Sequence, residues 1–326
     1  MLRTLTAFVF GALLSVAVSP AQAAELDTKP TARPHVSLML GIARVGDRLV
    51  AVGERGSILL SEDSGKTWRG VPTDTRATLT HVTFVGPKSA YAVGWDGTIL
   101  RTDDAGDSWV KQHEDPSQDN GLFTVVGFPD GRALAAGSYG LFYETQDGKS
   151  WTDLHSDTLD PDAHTNAMIT PAPGRVVLAG ETGNVYVSDD GDKTWRHLDF
   201  PYQGSLFGAL ALGADDWVVF GLRGHVLRTR DAGAHWAQLE TPTPVGLMGG
   251  TVLKDGRVVL VGSGGTAIIS NADVTKFDAL PQEQHQTLSD VVEAPDGSLV
   301  AVGEAGISTD ESSFVRIAVP AKVAAK

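Results

Sequence analysis

The sequence predicts an all-β fold, a seven-bladed β-propeller with four-stranded blades, because three features recur along it at one period. The first is a Gly-x-x-Gly pair after an apolar run, with successive first glycines 41, 43, 43, 41, 41 and 41 residues apart. The second is a set of four short strands per repeat, and the third is an Asp-containing turn that ends in Trp. A fixed period of about 40 residues with four strands per unit is typical of a propeller. The pairs are Gly53/Gly56, Gly94/Gly97, Gly137/Gly140, Gly180/Gly183, Gly221/Gly224, Gly262/Gly265 and Gly303/Gly306.

The second repeat illustrates the four strands. Apolar or alternating β-rich runs cover residues 79–85, 90–93, 98–101 and 109–112, and turn residues separate them. Short runs of this kind bounded by Gly, Pro, Asp and Asn predict strands joined by tight turns. We therefore expect one antiparallel sheet from each repeat.

The Asp-containing turn joins the third and fourth strands and resembles the Asp-box, or BNR, repeat. We expect its Asp to accept backbone N–H groups, its Gly to supply a positive φ, and its Trp to pack between blades. The sixth and seventh repeats keep only a partial copy that ends in Phe277 and Phe314. The predicted structural residues are Asp63, Trp68, Asp104, Trp109, Asp147, Trp151, Asp190, Trp195, Asp231 and Trp236.

The domain organisation follows from the repeats. Residues 1–23 read as a signal peptide, because an apolar run after Arg3 is followed by Ala21-Gln22-Ala23 and is shorter than the roughly 20 residues that span a bilayer. Residues 24–37 form a lead segment, and residues 321–326 form a C-terminal tail. The seventh repeat is expected to have a stunted third strand, whose exposed edge the lead segment would cover. The predicted blades span residues 38–78, 79–120, 121–163, 164–205, 206–245, 246–286 and 287–320.

Composition excludes several classes of function. The formal net charge is −14 and no Lys/Arg-rich block occurs, so the chain would repel a nucleic acid or an anionic lipid surface. Cysteine is absent, which excludes disulfides, thiolate zinc sites and a Cys nucleophile. We expect a monomer that does not insert into a membrane and that favours a basic partner surface.

The two residues inside each Gly-x-x-Gly pair form the candidate binding face. All seven turns should lie on one face of the ring, opposite the Asp-containing turns. Large aromatic and Arg residues exceed what a turn requires and are typical of interface hot spots; seven solvated turns are the alternative. We assign no catalytic residue, metal or cofactor. The predicted partner-binding residues are Glu54, Arg55, Trp95, Asp96, Tyr139, Glu181, Arg223 and Glu304.

A hydrolytic function requires more than this repeat. Sialidase-like chemistry needs paired carboxylates or an activated Tyr, together with an Arg cluster for the substrate carboxylate. Tyr91, Tyr143 and Tyr186 fall inside predicted strands, and the string Arg316-Ile317-Ala318 lacks the proline of the sialidase Arg-Ile-Pro motif. The sequence therefore favours a non-enzymatic protein, with a sialidase-like or carbohydrate-binding propeller as the alternative.

The recurring pattern A-V-G-x-x-G-x-I-L-x-[ST]-x-D-x-G-x-[ST]-W, best seen in residues 92–109, is similar to the photosystem II stability/assembly factor family of BNR-like propellers. The resemblance covers about residues 38–318. It implies a scaffold that binds a membrane-protein complex or another exported protein, beside a transporter in a non-photosynthetic bacterium. It further implies a periplasmic location, or the thylakoid lumen in a photosynthetic source. The arginine-rich patch of photosynthetic members has no full equivalent, because only Arg55 and Arg223 lie in the insert ring.

Overall fold

The computed structural model describes residues 37–117, 120–154, 156, 158–282 and 285–304, together with the backbone of 315–317. These residues form seven antiparallel sheets, six with four strands and one with three. The first three sheets contain Met39–Val45, Arg48–Gly53, Ile58–Ser61 and Arg69–Val71 (β1–β4); Leu79–Phe84, Ala90–Gly94, Ile99–Thr102 and Val110–His113 (β5–β8); and Leu122–Gly127, Ala133–Gly137, Phe142–Thr145 and Trp151–Asp153 (β9–β12). The other four contain Thr165–Ala172, Arg175–Gly180, Val185–Ser188 and Arg196–His197 (β13–β16); Leu206–Ala211, Trp217–Gly221, Val226–Thr229 and Ala237–Gln238 (β17–β20); Leu247–Val252, Val258–Gly262, Ala267–Ser270 and Phe277–Ala279 (β21–β24); and Leu288–Glu293, Leu299–Gly303 and Val315–Ile317 (β25–β27).

The sheets are arranged as a ring. The first strand of each sheet contacts the first strand of the next, and β25 of the last sheet contacts β1 of the first. The core is divided into seven buried clusters, each formed by two neighbouring sheets. The molecule is therefore a β-propeller, and we number its sheets as blades one to seven in chain order.

The prediction of an all-β propeller with four-stranded blades is confirmed, with a correction in the seventh repeat. Among the described residues six blades have four strands, and the seventh sheet has three. Its third position is occupied by Val315–Ile317, which pairs with Leu299–Gly303. The repeat pattern predicts a stunted third strand in this blade, which would have made Val315–Ile317 the fourth strand. The signal segment, residues 24–36, Phe314 and the tail lie outside the described residues.

The Asp turns, which are residues 61–68 and their equivalents, are closed by their own side chains. In blade one, Asp63 Oδ1 accepts the N–H groups of Lys66 at 3.0 Å and Thr67 at 2.8 Å, and Thr67 Oγ1 donates to Oδ2 at 2.6 Å. Ser61 Oγ accepts the N–H of Gly65 at 2.9 Å, and Gly65 has a φ of 79°. This positive φ favours glycine because it has no Cβ to clash.

The same pattern recurs in the later blades. Hydrogen bonds from the Ser, Thr or His three or four residues further on lower the pKa values of Asp147, Asp190 and Asp231 to about 2. In blade six Asn271 replaces the Asp, and its Oδ1 accepts the N–H of Thr275 at 2.8 Å. The sixth turn is therefore closed by an amide, although its sequence had suggested only a partial copy.

The tryptophans of the Asp turns pack between blades. Trp109 is 8% exposed and lies in one buried cluster with Val50 and Leu60 of blade one. The other four are half-buried and each packs against the core shared with the preceding blade; they are Trp68, Trp151, Trp195 and Trp236. These rings join consecutive sheets that share no backbone ladder.

Arginines connect neighbouring blades on the face that carries the Asp turns, which we call the Asp face. Arg48 of blade one donates to Asp107 of blade two at 2.8 Å. Four further arginines likewise donate to the next blade: Arg101 to Gly148 O at 2.5 Å, Arg132 to Asp192 Oδ1 at 3.1 Å, Arg175 to Asp215 Oδ1 at 2.6 Å and Arg228 to Val274 O at 2.7 Å. The Asp face is thus tied together by charged hydrogen bonds.

Candidate functional site

The Gly turns, which are the Gly-x-x-Gly segments, form the opposite face, here called the Gly face. Each of the six turns that the structure describes in full is closed by a backbone hydrogen bond, as from Ser57 N to Glu54 O at 3.1 Å. A Cβ on Gly53 would lie 2.2 Å from the carbonyl oxygen of Leu38, so no larger residue fits there. Gly56 has a φ of 69°. The two glycines are therefore required by close backbone approach and by a left-handed conformation.

The second of the two residues between the glycines carries backbone strain. In the six Gly turns that the structure describes in full its φ is positive, and in five of these turns it is not glycine: Arg55 (58°), Asp96 (58°), Tyr139 (50°), Thr182 (54°) and Arg223 (59°). Non-glycine residues at such angles cost about 1–3 kcal/mol unless the surroundings impose them. Blade six carries Gly264 at this position, with a φ of 63°. Most of these turns therefore carry another residue at a position whose backbone angles favour glycine.

The first strand of each blade, which we call the inner strand, contains a bulge near its start, opposite the first glycine of the Gly turn. The pairing register shifts there by one residue in every blade, so that one residue per blade lacks a ladder partner. Bulges re-aim side chains and are enriched beside functional sites. The seven bulge residues are all half-buried: Leu40, Thr80, Phe123, Asn166, Phe207, Met248 and Ser289.

Four aromatic rings form a continuous cluster across blades two to four, which we call the aromatic cluster. The ring centroids of Trp95 and Phe123 lie 6.1 Å apart, and those of Phe123 and His164 lie 5.7 Å apart. Tyr139 meets His164 edge-on at 4.6 Å. Trp95 is 40% exposed and Tyr139 is 63% exposed, whereas Phe123 and His164 are half-buried. The cluster therefore presents two exposed rings above a floor of two half-buried rings.

Glu181 holds one side of this cluster. Its Oε2 accepts the N–H of His164 at 3.3 Å, and its Oε1 lies 3.7 Å from His164 Nδ1. Glu304 has the corresponding role in blade seven, where it accepts the N–H of Thr287 at 3.0 Å. These two glutamates of the predicted face thus also fix the start of the inner strand beside them.

The remaining predicted residues are dispersed around the Gly face. The Arg55 side chain is 82% exposed and its Nε lies 3.8 Å from Glu54 Oε1. The carbonyl oxygen of Asp96 accepts the N–H of Asp115 at 2.7 Å, and Arg223 is exposed on blade five. Of the eight predicted residues, the structure joins Trp95, Tyr139 and Glu181 into one group through ring and His164 contacts.

Sequence reasoning missed Phe123 and His164. Phe123 is the bulge residue of blade three, and His164 belongs to the link that precedes blade four. A comparison of the second residue of each inner strand would not have singled out Phe123, because Leu40, Phe207 and Met248 at the same place are also large and apolar. No repeated feature marks His164.

Two titratable groups lie in the next layer of the inner strands. Asp290 Oδ2 accepts the N–H of Ile42 from blade one at 3.1 Å, and Oδ1 accepts that of Val291 at 2.8 Å. Burial raises the pKa of Asp290 to about 7. His81 Nδ1 faces the N–H of Val125 from blade three at 3.3 Å, and burial lowers its pKa to about 4. Both side chains join one blade to the next directly behind the Gly face.

The described tyrosines do not favour the route to glycoside hydrolysis that uses an activated Tyr. Burial raises the pKa values of Tyr91, Tyr143 and Tyr186, which opposes formation of a nucleophilic phenolate. Five arginines are already committed to the Asp face. In the same part of the chain no three His, Asp or Glu side chains converge as a metal site, and no helix there has the length and apolarity needed to cross a bilayer.

The fold and this face define the class of the molecule: it is a β-propeller that exposes aromatic and charged side chains on its Gly turns. The family of the photosynthesis system II assembly factor YCF48 matches residues 60–206, and the resemblance predicted from the repeats is confirmed. The photosystem II assembly lipoprotein Ycf48 of Synechococcus sp. (strain CC9902) is 30% identical over 135 residues, which are 41% of this chain and 40% of that protein.

Other proteins match this chain over a small part of their own length or at lower identity. Vacuolar protein sorting/targeting protein 10 of Verticillium alfalfae is 30% identical over 48% of this chain, which spans only 12% of that protein. The structure of YCF48 from Cyanidioschyzon merolae has a TM-score of 0.68 at 17% identity, covering 84% of this chain and 95% of that one. YCF48 bound to D1 peptide gives 0.65 at 17%, covering 84% and 91%. A streptogramin B lyase gives 0.71 at 11%, covering 83% and 92%, so the fold alone does not separate scaffolds from enzymes.

Proposed function

We propose that this chain is a non-enzymatic, exported scaffold whose Gly face binds a segment of a membrane-protein complex and assists its assembly or function. The observation that carries the proposal is the aromatic cluster, in which exposed Trp95 and Tyr139 stand on turns that glycines fix. Exposed aromatic residues on a rigid frame are typical binding anchors. A solved relative, YCF48 bound to D1 peptide, supports peptide binding by propellers of this kind.

The contrast between the two faces supports the same assignment. On the Asp face, carboxylates and arginines bond to one another or to backbone groups within the ring. On the Gly face, Arg55, Tyr139 and Arg223 extend from strained turns into solvent. An external partner would explain why largely exposed side chains occupy these positions at a cost in backbone strain.

Several finer points belong to the proposal. The seventh repeat completes a seven-bladed ring, and the Asp turns are Asp-box repeats. The protein is a monomer that acts in the periplasm after cleavage near Ala23, beside a transporter in a non-photosynthetic bacterium or in the thylakoid lumen of a photosynthetic one. The export motif and the relative described as a lipoprotein support action outside the cytoplasm.

Affinity capture from detergent-solubilised membranes tests the proposal. The double variant Trp95→Ala/Arg223→Ala should lose a membrane-protein partner that the wild type retains, while its melting temperature changes little. The matched control, Lys66→Ala/Lys193→Ala, removes two exposed cations from the Asp face and should retain the partner. Loss of capture in the control alone would show that the partner binds the Asp face and that the assignment to the Gly face is wrong. Cleavage of a glycoside by the purified protein would favour the carbohydrate-active alternative.

A further inference from the structure

The turns and the link that carry or contact the aromatic cluster also contain Asp and Glu residues. Asp96 follows Trp95 in the same turn, and Glu181 contacts His164. At the other end, a Cβ on Gly140 would lie 2.9 Å from Pro161 Cα, so the link that carries Asp160 and Asp162 packs against the Tyr139 turn. Four carboxylates therefore belong to the turns and the link that carry or contact the rings. They are Asp96, Asp160, Asp162 and Glu181.

Lys and Arg are scarce in the part of the chain that carries Phe123, Tyr139 and His164. Between residues 112 and 174 the sequence contains only Arg132 and Lys149 as Lys or Arg. Both lie on the Asp face, where Arg132 pairs with Asp192 and Lys149 belongs to an Asp turn. Among the described residues, no Lys or Arg lies within ion-pair distance of the four carboxylates around the rings. Within the described part of the chain, no Lys or Arg therefore pairs with these carboxylates.

We propose that the aromatic cluster and its carboxylates form a binding site for an extended polypeptide segment that carries Arg or Lys. This inference rests on the proposed function and specifies the chemistry of the partner. An Arg or Lys stacks over an aromatic face within about 6 Å of the ring centroid, and a neighbouring carboxylate strengthens the attraction. An acidic segment or a nucleic acid would meet the same carboxylates with repulsion.

The dimensions of the cluster favour a chain over a single small cation. The rings follow one another with centroid separations of 6.1, 5.7 and 4.6 Å, and their exposed members stand at the two ends. One ammonium or guanidinium group covers one such step. In an extended strand, successive side chains on one face are about 6.6–6.8 Å apart, which is close to the 6.1 Å and 5.7 Å steps and longer than the 4.6 Å step.

Three fluorescein-labelled decapeptides provide the test against the purified exported protein. They alternate Leu with Arg, Leu with Ser, or Leu with Glu, and fluorescence anisotropy gives their dissociation constants. The Arg peptide should bind at least about 10-fold more tightly than the Ser peptide, and the Glu peptide should not bind. Binding of the Arg peptide should weaken as ionic strength rises, because salt screens exposed charges. Equal binding of all three peptides would overturn the inference.

Tyr139→Gly is the decisive variant, because glycine suits the φ of 50° at that position and the fold is kept. It should weaken binding of the Arg peptide by up to about 30-fold, the effect expected of an interface anchor. Thr182→Gly is the matched control at the equivalent position of blade four, where φ is 54°, and should retain wild-type affinity. Unchanged binding by Tyr139→Gly would show non-specific attraction to an acidic protein and contradict the inference.

The two proposals fail in different ways. If peptide discrimination is absent while Trp95→Ala/Arg223→Ala still abolishes membrane-protein capture, the proposed function stands and the assigned partner chemistry is wrong. If the Arg peptide binds in a Tyr139-dependent manner and no membrane protein is captured, the site is supported and the scaffold function is refuted.

Discussion

The Asp face and the Gly face are built from turns of the same repeats, yet they use their side chains in opposite ways. On the Asp face, Asp63 closes its own turn and Arg48 reaches into the next blade, so polar groups are satisfied internally. On the Gly face, backbone bonds close the turns and side chains such as Tyr139 extend outward. Side chains on the Asp face therefore stabilise the ring, whereas the outward residues of the Gly face can change without altering any blade.

The largest expected effect is on the Asp-face side. Trp109→Ala should lower the free energy of unfolding by about 3–5 kcal/mol, because it empties a buried space between blades one and two. Trp95→Ala on the Gly face should cost about 1 kcal/mol or less, since that ring is already 40% exposed. Chemical denaturation gives the free energy of unfolding of both variants, and equal losses would contradict the contrast between the two faces.

The pH dependence of stability should reveal two opposing contributions behind the Gly face. Asp290 has a raised pKa of about 7, so its contribution is full below the ordinary carboxyl pKa near 4 and is lost as pH rises towards 7, by at most about 4 kcal/mol. His81 has a lowered pKa of about 4, so its contribution is full above about 6.5 and is lost as pH falls towards 4.

Paired variants separate these contributions in denaturation curves collected between pH 4 and 7. Relative to wild type, Asp290→Asn should gain stability with rising pH. His81→Asn, whose Oδ1 can replace Nδ1 as the acceptor from Val125, should gain relative stability as pH falls. Parallel pH profiles for wild type and both variants would show that neither group titrates in this window.

A smaller effect is expected where Arg132 links blades three and four. Arg132→Met should cost about 2 kcal/mol, because it leaves Asp192 and Glu144 without their shared cation while their side chains are only 7% and 14% exposed. Arg196→Met is the control, since Arg196 is 60% exposed and lies 3.8 Å from Asp189. Thermal denaturation compares them, and a loss in Arg196→Met as large as that in Arg132→Met would contradict the interpretation.

The smallest effect concerns strain on the Gly face. Thr182→Gly should stabilise the protein by about 1 kcal/mol or less, because a β-branched residue at a φ of 54° is disfavoured. Thr182→Ala keeps a Cβ at this angle and should gain less. Differential scanning calorimetry resolves the order of the three proteins, and a Gly variant less stable than the Ala variant would argue against strain in this turn.

Features that depend on the residues of one repeat could be predicted from the sequence. The strands of blade two were placed within one or two residues, and the glycines were assigned because steric rules apply to each turn separately. Contacts between repeats were not predictable in this way. The link from Arg132 to Asp192 and the meeting of Phe123 with His164 require neighbouring blades to be brought together, and no local pattern encodes them. In blade seven, the strand Val315–Ile317 took the third position because pairing depends on which segment reaches the sheet edge.

Each of the six four-stranded sheets is drawn from one uninterrupted stretch of chain, and no strand is exchanged between blades. Duplication or loss of a whole repeat therefore leaves the hydrogen-bonded ladders of the other blades unchanged, whereas the angle between neighbouring blades must change for the ring to close again. Each duplication also adds one turn to the Gly face. The size of that face can thus change in steps of a single repeat.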